Sequence, residues 1–326
     1  MVNKMECGGS MGGSRSVRET KGSMGSSGQD REQYVCVDIG GTSIKYGLVD
    51  GNGEILCRRE RDTEASKGGR GILEKVLAIV EEFVRQGRAD GVCISTAGMV
   101  DPDQGVITYA ADLIPDYAGT NFKEAVRARF GLPCQVENDV NCAGLAEAVS
   151  GAGAGSSLVL MLTVGTGIGG SLILGGEIFR GFGGNACEVG YMYMDGSDFQ
   201  SLGAASVLTR KVAERKHEPQ QQWSGRRIFH EAKDGDEVCI QAIDQMVEVL
   251  GRGIANICYV VNPEVVVLGG GIMAQKEFLE ERIRRAMDRY LVRQMAEQTR
   301  LAFAKHGNDA GMLGAYYHFK NSRGYS

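Results

Sequence analysis

The sequence predicts an α/β protein built from two lobes, and three observations support this prediction. Short apolar runs and amphipathic stretches alternate from residue 34 onward, which is typical of layered α/β folds. A pattern of strand, glycine turn and strand at Gly40 returns at Gly165, and such self-similarity indicates two related lobes. The chain has 326 residues, of which 43% are hydrophobic, enough for about two domains with buried cores.

The N-terminal lobe is predicted over residues 34–150. The strands are β-rich runs bounded by glycine or other turn residues, and the first helix has apolar residues at the helical period. In order, the predicted elements are strands over 34–39, 47–49 and 54–57, a helix over 71–86, a strand over 91–95, a helix over 121–130, a strand over 134–137 and a helix over 141–149.

The C-terminal lobe is predicted over residues 151–326, with a last helix able to return to the N-terminal lobe. Its start repeats the first lobe: Gly40 and Glu54 are 14 residues apart, and Gly165 and Glu177 are 12 apart. The rest is predicted to be mainly helical, with one conspicuous strand. The elements are strands over 157–164, 171–174 and 177–179, a helix over 238–259, a strand over 264–268 and a helix over 277–291.

Composition excludes several classes of protein. The Gly/Ser-rich residues 1–33 are predicted to be a disordered tail without a secretory signal, because they hold too little apolar surface to fold. A formal charge of -5 argues against broad binding to nucleic acid or membrane. The nine cysteines contain no C-x-x-C pair and are predicted to be reduced, mostly buried thiols. We therefore expect a cytoplasmic protein.

Three glycine turns are candidate nucleotide contacts. Glycine lets backbone amides approach an anion, and threonine adds a hydroxyl donor, although a glycine turn is often only a tight hairpin. Two turns at matching places in the lobes predict phosphate loops, and the third suits a purine base or ribose. The residues are Gly40, Gly41 and Thr42, then Gly165, Thr166 and Gly167, then Gly269, Gly270 and Gly271. No turn is a G-x-G-x-x-G opening a helix, which disfavours a dinucleotide site.

Three carboxylates follow strands or glycine-rich segments. Asp38 is a candidate ligand for hydrated Mg²⁺ near the phosphates, or a turn cap. Asp139 lies in the segment Glu137-Asn138-Asp139, where the alternative to a catalytic role is an N-cap. Glu188 follows the glycine-rich stretch 181–186, and its alternative is a solvated loop acid.

Five motifs together resemble those of one family. They are Asp38-Ile39-Gly40-Gly41-Thr42, Glu137-Asn138-Asp139, the stretch 164–170 (VGTGIGG), Ala186-Cys187-Glu188-Val189-Gly190 and the stretch 268–272 (LGGGI). Their order and spacing are similar to those of the repressor/open-reading-frame/kinase (ROK) family, over essentially Tyr34 to Phe319. The resemblance implies the actin-like ATPase (ribonuclease H-like) fold, an interlobe cleft, a homodimer, and an ATP- and Mg²⁺-dependent sugar kinase.

The resemblance also implies roles for individual residues. Asp139 matches the family's catalytic base, Asn138 and Glu188 match contacts to sugar hydroxyls, and the first two glycine turns match the phosphate loops. The implied reaction transfers the γ-phosphoryl group of ATP to the 6-hydroxyl of a glucose-like sugar. Two weaker expectations concern the sugar cleft and a phosphate. The segment Ser95-Thr96-Ala97-Gly98, with Gly98 as the contact, lines the sugar cleft unless it is a plain strand-ending turn, and Lys45 reaches a phosphate unless it is a solvated strand lysine.

The sequence departs from the family pattern at two sugar contacts. Many members carry a zinc-binding histidine and three cysteines, whereas this chain has Tyr191 at the histidine position and no cysteine over 192–200. Zinc is therefore not expected. Gln200 stands where the family has a sugar-binding glutamate, so the pocket loses a negative charge. These departures leave open whether the sugar is glucose, a β-glucoside or N-acetylmannosamine.

Two functions of other classes remain as alternatives. The family includes sugar-responsive repressors, which carry an N-terminal winged helix for DNA. The Gly/Ser-rich residues 1–33 do not resemble such a domain, and we expect no nucleic-acid partner. A non-catalytic sugar-binding protein is the third possibility, and release of ADP from ATP in the presence of sugars would separate it from a kinase.

Overall fold

A computed structural model describes residues 32–110 and 114–323, so the predicted tail lies almost wholly outside the described residues. The fourteen strands are β1 (Gln33–Ile39), β2 (Ser43–Asp50), β3 (Ile55–Asp62), β4 (Gly91–Thr96), β5 (Met99–Asp101), β6 (Val106–Tyr109), β7 (Cys134–Asn138), β8 (Leu158–Val164), β9 (Ile168–Leu174), β10 (Glu177–Ile178), β11 (Tyr193–Met194), β12 (Ser197–Asp198), β13 (Val265–Gly269) and β14 (Arg300–Phe303) in the described part. The helices described there are α1 (Gly68–Val84), α2 (Phe122–Phe130), α3 (Asp139–Ser150), α4 (Phe199–Gly203), α5 (Ala205–Lys216), α6 (Gly225–Lys233), α7 (Glu237–Val261), α8 (Lys276–Tyr290), α9 (Arg293–Gln298) and α10 (Ala310–Ser322).

Two five-stranded sheets share one topology. The first has the order β3-β2-β1-β4-β7 and the second the order β10-β9-β8-β13-β14. In each, the first three strands along the chain pair antiparallel and the last two add parallel to them. Strands β4 and β13 are buried at every residue, as expected for parallel strands covered on both faces. The α/β class is confirmed, and the repeat seen in the sequence is a repeat of sheet topology.

Helices α3 and α10 cross between the two sheets. Helix α3 contacts β8 and β9 of the second sheet, and α10 contacts β1 and β4 of the first. Their backbones touch, because a methyl group added at Gly314 would lie 1.8 Å from the carbonyl oxygen of Cys142. Tyr316 and Phe319 of α10 pack on Tyr34 of β1, with ring centroids 5.4 and 5.2 Å apart. The last helix thus returns to the first sheet.

Several predicted boundaries were wrong. Helix α3 begins at Asp139 rather than 141, because the Asn138 side chain caps it. Strand β3, predicted to end at residue 57, continues to Asp62. Its second half is polar, which is possible because β3 is at the edge of the sheet. β14 and the hairpin β11–β12 were not predicted, because they are short and carry no clear alternation. Gln33, placed in the tail, begins β1.

The state of the cysteines agrees with the prediction of mostly buried, reduced thiols. The eight cysteines of the described part are free, and six of them are buried. No helix among residues 32–110 and 114–323 is long and apolar enough to cross a membrane.

Candidate active site

The carboxyl ends of three parallel strands bring the candidate acids together. In the register of the first sheet, Asp38 of β1 lies beside Ser95 of β4, and Ser95 lies beside Glu137 of β7. The hydroxyl of Ser95 donates a hydrogen bond of 2.7 Å to Oδ1 of Asp38. Asp139 follows β7 directly and opens α3. The edge of a sheet where parallel strands end is the usual place for ligand binding in α/β proteins.

Asn138 and Asp139 form a hydrogen-bonded junction between β7 and α3. The Asn138 side chain is the N-cap: Oδ1 accepts from the N–H groups of Val140 and Asn141, at 2.9 and 3.1 Å. Its Nδ2 donates to the Gly98 carbonyl at 2.9 Å and to Oδ1 of Asp139 at 3.1 Å. Asn138 therefore takes the capping role that was the alternative for Asp139. The carboxylate of Asp139 also accepts from the Val140 N–H at 2.9 Å.

The pKa values of the two aspartates are perturbed. Burial, reinforced by the negative charge of Asp38, raises the pKa of Asp139 to about 7, against the hydrogen bonds from Val140 and Asn138. Burial also raises the pKa of Asp38, although its bond from Ser95 and the nearby charge of Lys45 oppose the shift. Perturbed carboxylates in a cleft are typical of functional sites.

A cavity of about 230 Å³ adjoins this junction and is lined from both halves of the chain. Five predicted site residues line it: Gly41, Gly98, Asn138, Glu188 and Tyr191. Asp139 lies between two lining residues, Asn138 and Val140. Tyr191 is 59% exposed. Glu188 is also exposed as a residue, while partial desolvation of its carboxyl group raises its pKa.

Sequence reasoning missed much of the apolar wall of this cavity. Besides Ala97, which belongs to the segment 95–98 predicted to line the cleft, the additional lining residues are Met99, Tyr109, Ala110, Ile114, Tyr117, Val140, Gly169 and Gly170. Tyr117 is buried, with its hydroxyl 2.5 Å from that of Thr96, whereas Tyr109 is 52% exposed. The aromatic residues come from the β5–β6 hairpin and the segment after it, where single tyrosines among turn residues follow no recognisable pattern.

The three glycine turns lie at strand ends, as expected. In the first, Gly41 and Thr42 are exposed, and the Gly40 carbonyl accepts from the Thr63 hydroxyl at 2.6 Å. In the second, the Thr166 carbonyl accepts from the hydroxyl of Ser206 at 2.6 Å. The third turn contacts the end of β8, the strand that leads into the second turn. At Gly270, where φ is 103°, an added methyl group would lie 2.2 Å from the Val164 carbonyl oxygen. Only glycine fits there.

Gln200 and Lys45 are among the predicted site residues that do not line the cavity. Oε1 of Gln200 would be 2.5 Å from a methyl group added at Gly167 and 3.1 Å from one added at Gly190. Its amide thus lies against the second glycine turn, because buried Phe199 holds the start of α4 in the core. Lys45 donates to Oδ1 of Asn308 at 3.0 Å, so one of its three donors is engaged by a protein side chain.

The donor set at Asp38 is compatible with magnesium. Ser95 occupies Oδ1, and Oδ2 has no hydrogen-bond donor among the described residues. Mg²⁺ typically binds one or two carboxylates, waters and substrate phosphates, so a single carboxylate beside the first glycine turn suits it. In the described part of the chain, no group of three or more His, Cys, Asp or Glu side chains is placed to hold a metal ion.

The repeated sheet topology and the ligand-sized cavity lined from both repeats define a two-lobed protein of the actin-like ATPase fold. Within that class the assignment is specific. The chain belongs to the ROK family, whose sequence profile matches residues 34–322.

Three relatives illustrate the similarity. A β-glucoside kinase of Listeria monocytogenes is 34% identical over 291 residues, which cover 86% of this chain and 95% of that protein. The ROK hexokinase of Thermus thermophilus is 31% identical with a TM-score of 0.76, covering 89% of this chain and 99% of that one. A ROK family glucokinase of Streptomyces griseus, solved with glucose and AMPPNP, is 28% identical with a TM-score of 0.75, covering 87% and 97%. All three are sugar kinases.

Proposed function

We propose that this protein is an ATP-dependent hexose kinase that phosphorylates the 6-hydroxyl of a glucose-like sugar. The observation that carries the proposal is the position of Asp139. It opens α3 between two residues that line the cavity, next to Asp38, and its pKa is raised to about 7. A base with a pKa near neutral pH is well matched to proton transfer in the cell.

The residues around the cavity have different roles in phosphoryl transfer. Such a reaction needs mainly positioning and neutralisation of charge. Glu188 binds a sugar hydroxyl, and Asn138 binds another by exchanging its Nδ2 bond to Asp139 for one to the sugar. Asp139 accepts the proton of the attacking hydroxyl. The turns at 40–42 and 165–167 hold the phosphates, and the turn at 269–271 holds the nucleoside. Asp38 would hold Mg²⁺, which neutralises charge on the phosphates.

The cavity mouth favours a β-glucoside as a second candidate substrate. Tyr109 and Tyr191 line the cavity and are 52% and 59% exposed. Aromatic side chains with one accessible face suit the apolar face of a second sugar ring or an aglycone. The relative at 34% identity is a β-glucoside kinase. N-acetylmannosamine stays the third candidate, since the two tyrosines give no reason to favour or exclude a sugar with an acetamido group.

A screen for sugar-dependent ADP release tests the proposal. Purified protein with Mg-ATP would be assayed against glucose, cellobiose, methyl β-glucoside and N-acetylmannosamine, with mass analysis to locate the phosphate. We expect a 6-phosphorylated product from at least one. No ADP above background with any sugar, together with sugar-dependent binding of a DNA fragment, would favour the repressor alternative instead.

The pH dependence of kcat/KM is expected to report the protonation of Asp139. The base must be unprotonated, and its pKa is raised to about 7. The value of kcat/KM for sugar should therefore fall tenfold per pH unit well below pH 7 and level off above about pH 8. Initial rates from pH 5.5 to 9 with saturating Mg-ATP would measure it. A profile flat down to pH 5.5 would contradict the assignment of this base.

Cellular context and assembly are part of the same proposal. We infer a cytoplasmic homodimer that uses ATP and Mg²⁺ without zinc. Light scattering would measure the oligomeric state, and elemental analysis of the purified protein would measure bound zinc.

A further inference from the structure

Glu137 is a buried carboxylate placed just before the candidate catalytic residues. Its side chain is 3% exposed. Oε1 accepts from the backbone N–H of Asn138 at 2.8 Å and from Nδ2 of Asn141 at 3.0 Å. These two bonds hold the strand end and the first turn of α3 together. The other oxygen, Oε2, points to a different part of the chain.

That second oxygen is bound by Arg180, which follows β10 in the second half of the chain. Nε and Nη2 of Arg180 donate to Oε2 at 3.1 and 2.6 Å. Nη2 also lies 3.3 Å from Nδ1 of His318 in α10. Because arginine only donates, Nδ1 is the acceptor, and burial lowers the pKa of His318 to about 4, which keeps this ring neutral.

Arg180 is also the first residue of the loop that leads to Glu188. Its carbonyl accepts from the Ala186 N–H at 3.1 Å, closing residues 180–186 into a loop. Glu188 follows two residues later and lines the same cavity as Asn138. A single carboxylate therefore connects the segments that carry the two proposed sugar contacts.

We propose that Glu137 and Arg180 are positioning residues that set the separation of Asn138 and Glu188 across the sugar cavity. The inference rests on the proposed function. Neither side chain lines the cavity, so both act through the residues they hold. The Glu137 carboxylate is buried whereas the Arg180 side chain is 31% exposed, and the desolvation of a buried charge offsets much of its attraction to its partner. Such a pair can instead fix one geometry between two segments that are distant in the sequence.

The variants E137Q, R180M and the double variant test this role. Glutamine can still accept from Asn138 and Asn141 through its oxygen, but presents an amide to Arg180. R180M leaves Glu137 buried without its charge partner, whereas the double variant leaves no unpaired charge. We expect the KM for sugar to rise about tenfold or more in all three, while the KM for ATP stays within about twofold.

The double variant separates positioning from stability. If the pair acts as proposed, the double variant recovers the Tm lost in R180M but keeps the raised KM for sugar, and R180K restores part of the sugar affinity. If the pair is merely structural, sugar KM returns to the wild-type value together with Tm, which would overturn the proposal. R129M, which removes a surface ion pair with Glu81, is the matched control and should change neither KM.

A binding measurement distinguishes this inference from the proposed function. Calorimetric titration of the sugar found in the screen, without ATP, should show weaker binding to E137Q than to wild type by a similar factor. Sugar binding that is equal in both proteins would refute the positioning role while leaving the kinase intact. Absence of any sugar-dependent ADP release by wild type would instead refute the proposed function.

Discussion

Replacing Asp139 by asparagine is expected to lower kcat about a thousandfold while leaving sugar affinity within about threefold, the scale typical of a lost general base. Asparagine keeps an oxygen that can accept from the Val140 N–H, now 2.9 Å from the carboxylate. The side chain volume is nearly unchanged. What it loses is the ability to take the proton of the attacking hydroxyl. Steady-state ADP release would give kcat, and calorimetry would give the sugar affinity.

Stability provides the folding control for D139N. The pKa of Asp139 is raised to about 7 in the folded protein, above the ordinary value of about 3.9 for unfolded chains. Between these values the folded state binds more protons, so the free energy of unfolding falls as pH rises. Removing the charge should therefore leave D139N at least as stable as wild type at pH 8. The exposed Asp288, changed to asparagine, is the matched control. Near-normal kcat in D139N would refute the assigned base.

The predictable part of the fold is the part encoded by apolar runs. β1, β4, β8 and β13 are strongly apolar and buried, so their hydrophobic residues identify them. β14, four residues long, was missed because its place depends on pairing with β13. The start of α3 was misplaced because both Asn138 and Asp139 are good caps, and only the structure shows which side chain accepts the helix N–H groups.

The candidate site was predictable where a polar side chain lies next to a glycine-rich segment or a residue lies at a strand end. Asn138, Glu188 and Gly98 follow that pattern and line the cavity. Tyr109 and Tyr117 do not, because an isolated aromatic residue in a loop has many equally good explanations. The Glu137–Arg180 pair was also missed as a pair, since 43 residues separate its members and no periodicity connects them. The amide of Gln200 lies against the second glycine turn, and its contact with the sugar stays a prediction.

The substitution of Gly311 by alanine is the second change with a large expected effect. Gly311 lies in the first turn of α10, and a methyl group there would be 2.3 Å from both Cγ and Oδ1 of Asp38. Helical backbone accepts alanine readily, so the main consequence is displacement of the Asp38 carboxylate from Ser95. Displacements near 1 Å at a reacting centre cost about a hundredfold in rate. We therefore expect kcat/KM for Mg-ATP to fall about a hundredfold.

The discriminating measurement for G311A is a magnesium titration of the rate at fixed ATP. If Asp38 holds the ion, the variant needs more Mg²⁺ for half-maximal rate, whereas its affinity for sugar is unchanged because Asn138 and Glu188 are untouched. Gly183, which has only a distant neighbour at 3.9 Å, gives a matched glycine-to-alanine control. An unchanged magnesium requirement with a lowered Tm would mean that Gly311 only packs α10 on the first sheet. A shifted requirement would show that the last helix, by its close contact with β1, holds the metal-binding carboxylate in place.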